Sequence, residues 1–84
     1  PAPMQSRPHP ELIESSLSRH ITQDGVPLII NIVRIATEPG WSLEVVNARG
    51  TSVVWNDVFA SDREADVAFQ RTLAEEGVHA FLDK

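Results

Sequence analysis

The sequence predicts an α+β domain: a three- to four-stranded antiparallel β-meander packed on a C-terminal α-helix, with a short N-terminal helix ahead of it. Two local patterns and the length carry this reading. Stretches rich in β-branched and aromatic residues alternate with turn signals between residues 18 and 58. A capping box then opens a 3.6-periodic segment that closes on glycine. At 84 residues the chain is one small domain with a small core.

Residues 1–9 read as a disordered proline-rich tail, and 10–84 as the single domain. Residues 1–10, with four prolines, bury too little apolar surface to offset their ordering entropy. Residues 10–17 (PELIESSL) read as the short helix. Pro10 suits its first position, Glu11 and Glu14 suit its positive end, and Leu12, Ile13 and Leu17 share a side. Ser18–Gln23 is a weak strand, and Asp24-Gly25 a two-residue hairpin signal. Leu28–Ala36 is the surest strand, and Pro27 marks its start. Glu38-Pro39-Gly40 turns the chain into the Trp41–Ala48 strand. Arg49-Gly50 turns it again into Thr51–Val58. In the 61–76 helix, Ser61 accepts from the Glu64 N–H while Glu64 reaches back. Ala65, Ala68, Phe69, Thr72 and Leu73 form its apolar face, and Gly77 is the C′ residue. Val78–Leu82 returns Phe81 to the core.

Register decides which residues are buried, because a slip of one flips every side chain. A two-residue turn at Arg49-Gly50 puts Trp41, Leu43, Val45 and Asn47 on one face with Ser52, Val54, Asn56 and Val58. That face is the more apolar and takes the helix. For residues 28–36, a two- or four-residue loop would place Arg34 against Leu43, burying an unpaired charge. A three-residue loop at 38–40 avoids this and sends Ile29, Asn31, Val33 and Ile35 to the helix. Leu28, Ile30 and Ile32 then join Val46, Val53 and Trp55 on the second face. That face is too apolar to meet water bare. Its cover is either the 10–17 helix or a second copy, and Trp55 contacts one or the other.

Composition excludes several functions. There is no cysteine, so disulfides, thiolate metal sites and cysteine nucleophiles are out. A net charge of −5 opposes binding to nucleic acid or anionic membrane. The helix–strands–helix order is similar to that of double-stranded RNA-binding domains. The acids of the second helix (Asp62, Glu64, Asp66, Glu75, Glu76) are wrong for phosphate. His9, His20 and His79 have no metal-ligand spacing, so no metal and no cofactor are expected. The serines carry no nucleophile motif, and the glycines lack phosphate-loop spacing. Glu44 and Asp57 read as solvated strand charges rather than an acid–base pair. No enzymatic constellation is visible, so none of these residues is assigned a catalytic role. No apolar region follows Arg7 as in a signal peptide, and no run is long enough to span a membrane. A cytoplasmic protein is expected. Six Arg against one Lys point to a GC-rich bacterial genome.

Trp41 to Asp57 (WSLEVVNARGTSVVWND), Ser61 to Ala65 (SDREA) and Leu73 to Gly77 (LAEEG) resemble short bacterial proteins that carry no assigned function. The resemblance covers under half the chain and implies no activity, ligand or catalytic residue. The function expected from the residues is a non-enzymatic protein-interaction module, most simply a homodimer. Its interface is the second-face stripe of Leu28, Ile30, Ile32, Val46, Val53 and Trp55. The alternative is a small-molecule or nucleotide-binding regulatory domain with its site at a sheet edge or between subunits.

Overall fold

The computed structural model describes residues 11–82. The proline-rich tail expected at residues 1–9 lies outside them. The described chain is an α+β fold: strands β1 (Leu12–Glu14), β2 (Arg19–Gln23), β3 (Val26–Ile35), β4 (Trp41–Asn47) and β5 (Ser52–Val54), then helix α1 (Asp62–Glu76) and a 3-10 turn (Val78–Phe81). All pairings are antiparallel, in the order β1-β3-β4-β5, with β2 also on β3.

No helix forms over the described part of 10–17. Leu12–Glu14 pairs with Ile35–Val33 instead. The physical reason is length: so short a helix has no stability of its own, whereas the free edge of β3 offers hydrogen bonds and a ladder. β1 and β2 are two pieces of one edge, separated by an insertion. Glu14 faces Val33 and Arg19 faces Ile30, so two extra residues stand on the edge side. Two is even, and side-chain alternation survives. The break would orphan the backbone of buried Ile32. Ser15 N–H donates to the Ile32 carbonyl (2.8 Å), and the Ser18 hydroxyl accepts from the Ile32 N–H (2.9 Å). Beyond it, Gln23 meets Val26 across Asp24-Gly25, whose φ values of 53° and 79° are those the tight hairpin demands.

The β3–β4 register differs from the expected one. Leu28 pairs with Asn47, Ile30 with Val45, Ile32 with Leu43 and Arg34 with Trp41. Leu28, Ile30 and Ile32 therefore face α1 and are almost wholly buried. The objection to this register, a buried Arg34, does not arise. Arg34 sits at the strand's end with its guanidinium 5.4 Å from the Trp41 ring centroid. It donates to the carbonyls of Ala36 (3.3 Å) and Glu38 (2.9 Å), where the chain is exposed. Arginine keeps its charged head near water while its stem covers apolar surface.

The β4–β5 register also shifts. Asn47 N–H donates to the Thr51 carbonyl (3.0 Å), leaving a three-residue turn of Ala48, Arg49 and Gly50. The Asn47 side chain fixes that turn by accepting from the N–H groups of Arg49 (2.9 Å) and Thr51 (3.1 Å), and it donates to the Phe81 carbonyl (2.9 Å). One extra turn residue moves Val53 to the α1 side, opposite Val45. Trp55 continues the same alternation and packs against the core.

The helix follows its sequence signals. Ser61 caps Glu64 N–H (3.1 Å), although the Glu64 carboxylate takes the Ser61 hydroxyl (3.3 Å) rather than a backbone N–H. Gly77, at φ 76°, donates to the Leu73 carbonyl. Ala65 and Phe69 are buried, and Phe81 returns to the core, 5.7 Å from Phe69 and 6.2 Å from Trp55 between ring centroids.

Two stability outcomes follow. Ile30→Ala should cost about 3–4 kcal/mol in urea unfolding and Ile29→Ala about 1 kcal/mol, the reverse of the order the alternative register requires. Ser18→Ala should cost about 1–3 kcal/mol, because it strands the Ile32 N–H in the interior; a loss below about 0.5 kcal/mol would show that Ser18 does not bridge the break.

Candidate functional site

The sheet has one covered face and one open face. The open face takes the other half of each alternation: Ile29, Asn31, Val33 and Ile35 on β3, Ser42, Glu44 and Val46 on β4. Leu12 and Glu14 of β1, His20 and Thr22 of β2, and Ser52 and Val54 of β5 complete it. Ile29, Val33 and Val46 are half-buried by their neighbours alone, while Leu12 is 62% exposed and Val54 59% exposed. No described element lies over this face.

Two shallow depressions mark it. The larger, about 540 Å³, is lined by Leu12, Glu14, Asn31, Val33, Glu44 and Val54. The smaller, about 350 Å³, lies towards the hairpin, among His20, Pro27, Ile29 and Val46. In the larger one Asn31 Nδ2 donates to Glu44 Oε1 at 3.1 Å. The charge nearest the middle of the apolar surface thus already has a polar partner on its own sheet.

The six residues expected to share an interface do not share a face. Leu28, Ile30 and Ile32 are core, and Val53 and Trp55 pack partly buried against that core. Val46 alone lies on the open face, where Ile29, Val33, Leu12 and Val54 accompany it instead. The contacts that decide the registers, Arg34 on Trp41 and Asn47 on the Phe81 carbonyl, join residues far apart in the sequence and carry no local signal.

The other chemistry-bearing side chains fall apart in space or into structural pairs. Glu44 is bonded to Asn31, while Asp57 sits exposed in the bend after β5. His20 is exposed on the open face and His79 exposed in the 3-10 turn; His9 lies outside the described residues. Ser15 donates to Asp62 Oδ2 (2.7 Å), which clamps the start of α1 to the broken edge. Behind it Arg19 Nη1 lies 2.9 Å from Asp66 Oδ1 and 2.6 Å from the Leu17 carbonyl. Its N–H points at that carbonyl, so charge rather than a directed hydrogen bond holds Asp66 Oδ1. Gln70 satisfies Asp66 Oδ2 at 2.6 Å. The Arg19 guanidinium also lies 5.7 Å from the Phe69 ring centroid, so this cluster docks the helix.

Among the described residues no three His, Asp or Glu side chains gather to hold a metal ion, and no helix is long and apolar enough to cross a membrane. Comparison of the chain with known proteins finds no matching family model, no matching curated protein and no matching solved structure.

The two faces differ sharply in tolerance. Val33→Asp should leave a cooperative fold, destabilised by no more than about 1 kcal/mol, because its carboxylate reaches water. Leu43→Asp should abolish folding, because it buries an unpaired charge. Circular dichroism of the two variants checks this; an unfolded Val33→Asp would mean the open face is covered from within.

Proposed function

We propose that this chain is a non-enzymatic interaction module that self-associates, laying the open face of its sheet against the same face of a second copy. The observation that supports it most is the apolar stripe of Ile29, Val33 and Val46, bordered by Leu12, Ile35 and Val54. A sheet face that meets water is normally polar, and this one carries Ile29, Val46 and Val33 on either side of the Asn31–Glu44 pair. The N-terminal cover considered from the sequence is not formed by the described residues: Leu12–Glu14 pair along β3 and Leu17 packs on the core. A second copy supplies a matching flat apolar surface, and two such sheets pack about 10 Å apart.

Magnitudes set the strength. Ten residues of β3 at about 3.4 Å each, and four strands about 4.8 Å apart, give a footprint of about 500 Å² per copy. Standard stable interfaces bury about 800 Å² per partner. The association is therefore reversible and concentration-dependent rather than obligate. Glu14 and Glu44 are the acids on this face, and the Asn31–Glu44 bond lowers the desolvation cost at its middle.

Light scattering over a wide concentration range tests this. The molar mass should rise from 9.3 kDa towards twice that value as concentration increases. Val33→Asp, which keeps the fold, should hold it at the single-chain mass throughout. A parent chain that stays monomeric to about 1 mM, or a Val33→Asp chain that associates like the parent, would overturn the reading.

A further inference from the structure

A second surface lies at the other end of the sheet, where β5 is the last strand among the described residues. Asn47 N–H donates to Thr51 O at 3.0 Å, and Trp55 N–H donates to Leu43 O at 3.1 Å. In an antiparallel ladder the residues between these pairs turn their backbones the other way. The N–H and C=O of Ser52 and Val54 therefore point out from the edge. Folded proteins usually blunt such an edge with charge, proline or a bulge. The opposite edge has its two-residue break, and Arg19 as well. β5, from Ser52 to Val54, carries no charge, proline or bulge within it, although it is only three residues long and two extra residues stand between Trp55 and Phe59, where the chain rejoins Trp41.

The edge borders a groove of about 350 Å³, lined by Val53, Trp55, Thr72, Glu76, Ala80 and Phe81. Its accessible apolar surface is Trp55, Val53 and Ala80, with Asn56 and Thr72 beside them and Phe81 buried. Its wall is the last turn of α1, which ends on Glu75 and Glu76 and has no basic residue. Among the described residues Glu76 makes no ion pair. The helix C-terminus adds negative potential there. Open backbone groups, an apolar floor and one acidic wall together specify a ligand.

We infer that β5 accepts an extended peptide as a sixth strand, with an apolar side chain on the floor formed by Trp55 and Ala80 and a basic side chain against Glu76. Strand addition supplies affinity through main-chain hydrogen bonds and specificity through alternate side chains. A second copy is the poorer occupant. Pairing β5 with its own copy about a two-fold axis would bring two acidic helix ends to one junction. This surface is separate from the open face, and its test reads different residues.

The test uses the full chain, ¹⁵N-labelled, and a capped nine-residue peptide. The peptide has a central leucine, lysine at the nearest same-face positions on either side, and threonine elsewhere. Titration should move the amide signals of Ser52 and Val54 and the indole N–H of Trp55. A counterpart with glutamate for lysine should bind at least tenfold more weakly. Glu76→Lys should reverse that preference. Val54→Pro removes an outward N–H that β4 does not use, so it should fold normally and lose the binding. A peptide N-methylated at its pairing amides should also fail to bind. No movement at Ser52, Val54 and Trp55 in the folded chain would overturn the inference. So would movement confined to Ile29, Val33 and Val46, equal binding of both peptides, or binding that survives N-methylation. Ser52 and Val54 amides that become protected with protein concentration alone would assign the edge to a second copy and overturn it as well.

Discussion

The ladder between β3 and β4 runs from Leu28 opposite Asn47 to Arg34 opposite Trp41. Because side chains alternate, this single register places Leu28, Ile30 and Ile32 under the helix with Leu43 and Val45. It also fixes the composition of the other face, where Ile29, Val33 and Val46 are left over. Two polar devices at its ends make it tolerable. Arg34 lies along Trp41 and delivers its guanidinium to carbonyls near water. Asn47, buried, spends its amide on the turn to β5 and on the Phe81 carbonyl. A slip of one residue would bury Asn31 and expose Ile30 and Ile32.

The same logic governs how the helix is seated. The apolar face of α1 supplies Ala65 and Phe69, and the edge of the sheet supplies Ser15 and Arg19 as polar clamps. The break in that edge looks like a defect until its partners are traced. It frees Ser15 to reach Asp62 and Ser18 to serve Ile32, while an even insertion keeps every neighbouring side chain on its proper face. The edge is thereby irregular and polar, whereas β5 keeps regular pairing over its three residues, Ser52 to Val54.

Local signals were legible in the sequence. Ser61, Glu64 and Gly77 bound the helix because caps are built from residues close along the chain. Asp24-Gly25 marked the hairpin for the same reason. Trp41, Leu43, Val45 and Asn47 were correctly placed towards the helix, because alternation within a strand is local too. What was not legible depends on partners far apart. Nothing beside Arg34 announces that Trp41 will lie under its guanidinium, and a rule against buried charge pointed the other way. Nothing beside Asn47 shows that its amide will also serve Phe81, so a two-residue turn looked as good as three. Leu12 and Ile13 suit a short helix or a strand, and only the free edge of β3 decides between them. The inverted faces exchanged the membership of the candidate surface: Ile29, Val33 and Val46 now stand on the open side among its polar residues.

That bare face is the central claim, and intermolecular NOEs in an equal mixture of isotope-labelled and unlabelled chains test it most directly. At millimolar concentration, the methyl groups of Ile29, Val33 and Val46 should show contacts to methyl groups of the other copy, and those of Ile30 and Leu43 should show none. Contacts absent from the first set, or present in the second, would contradict the account.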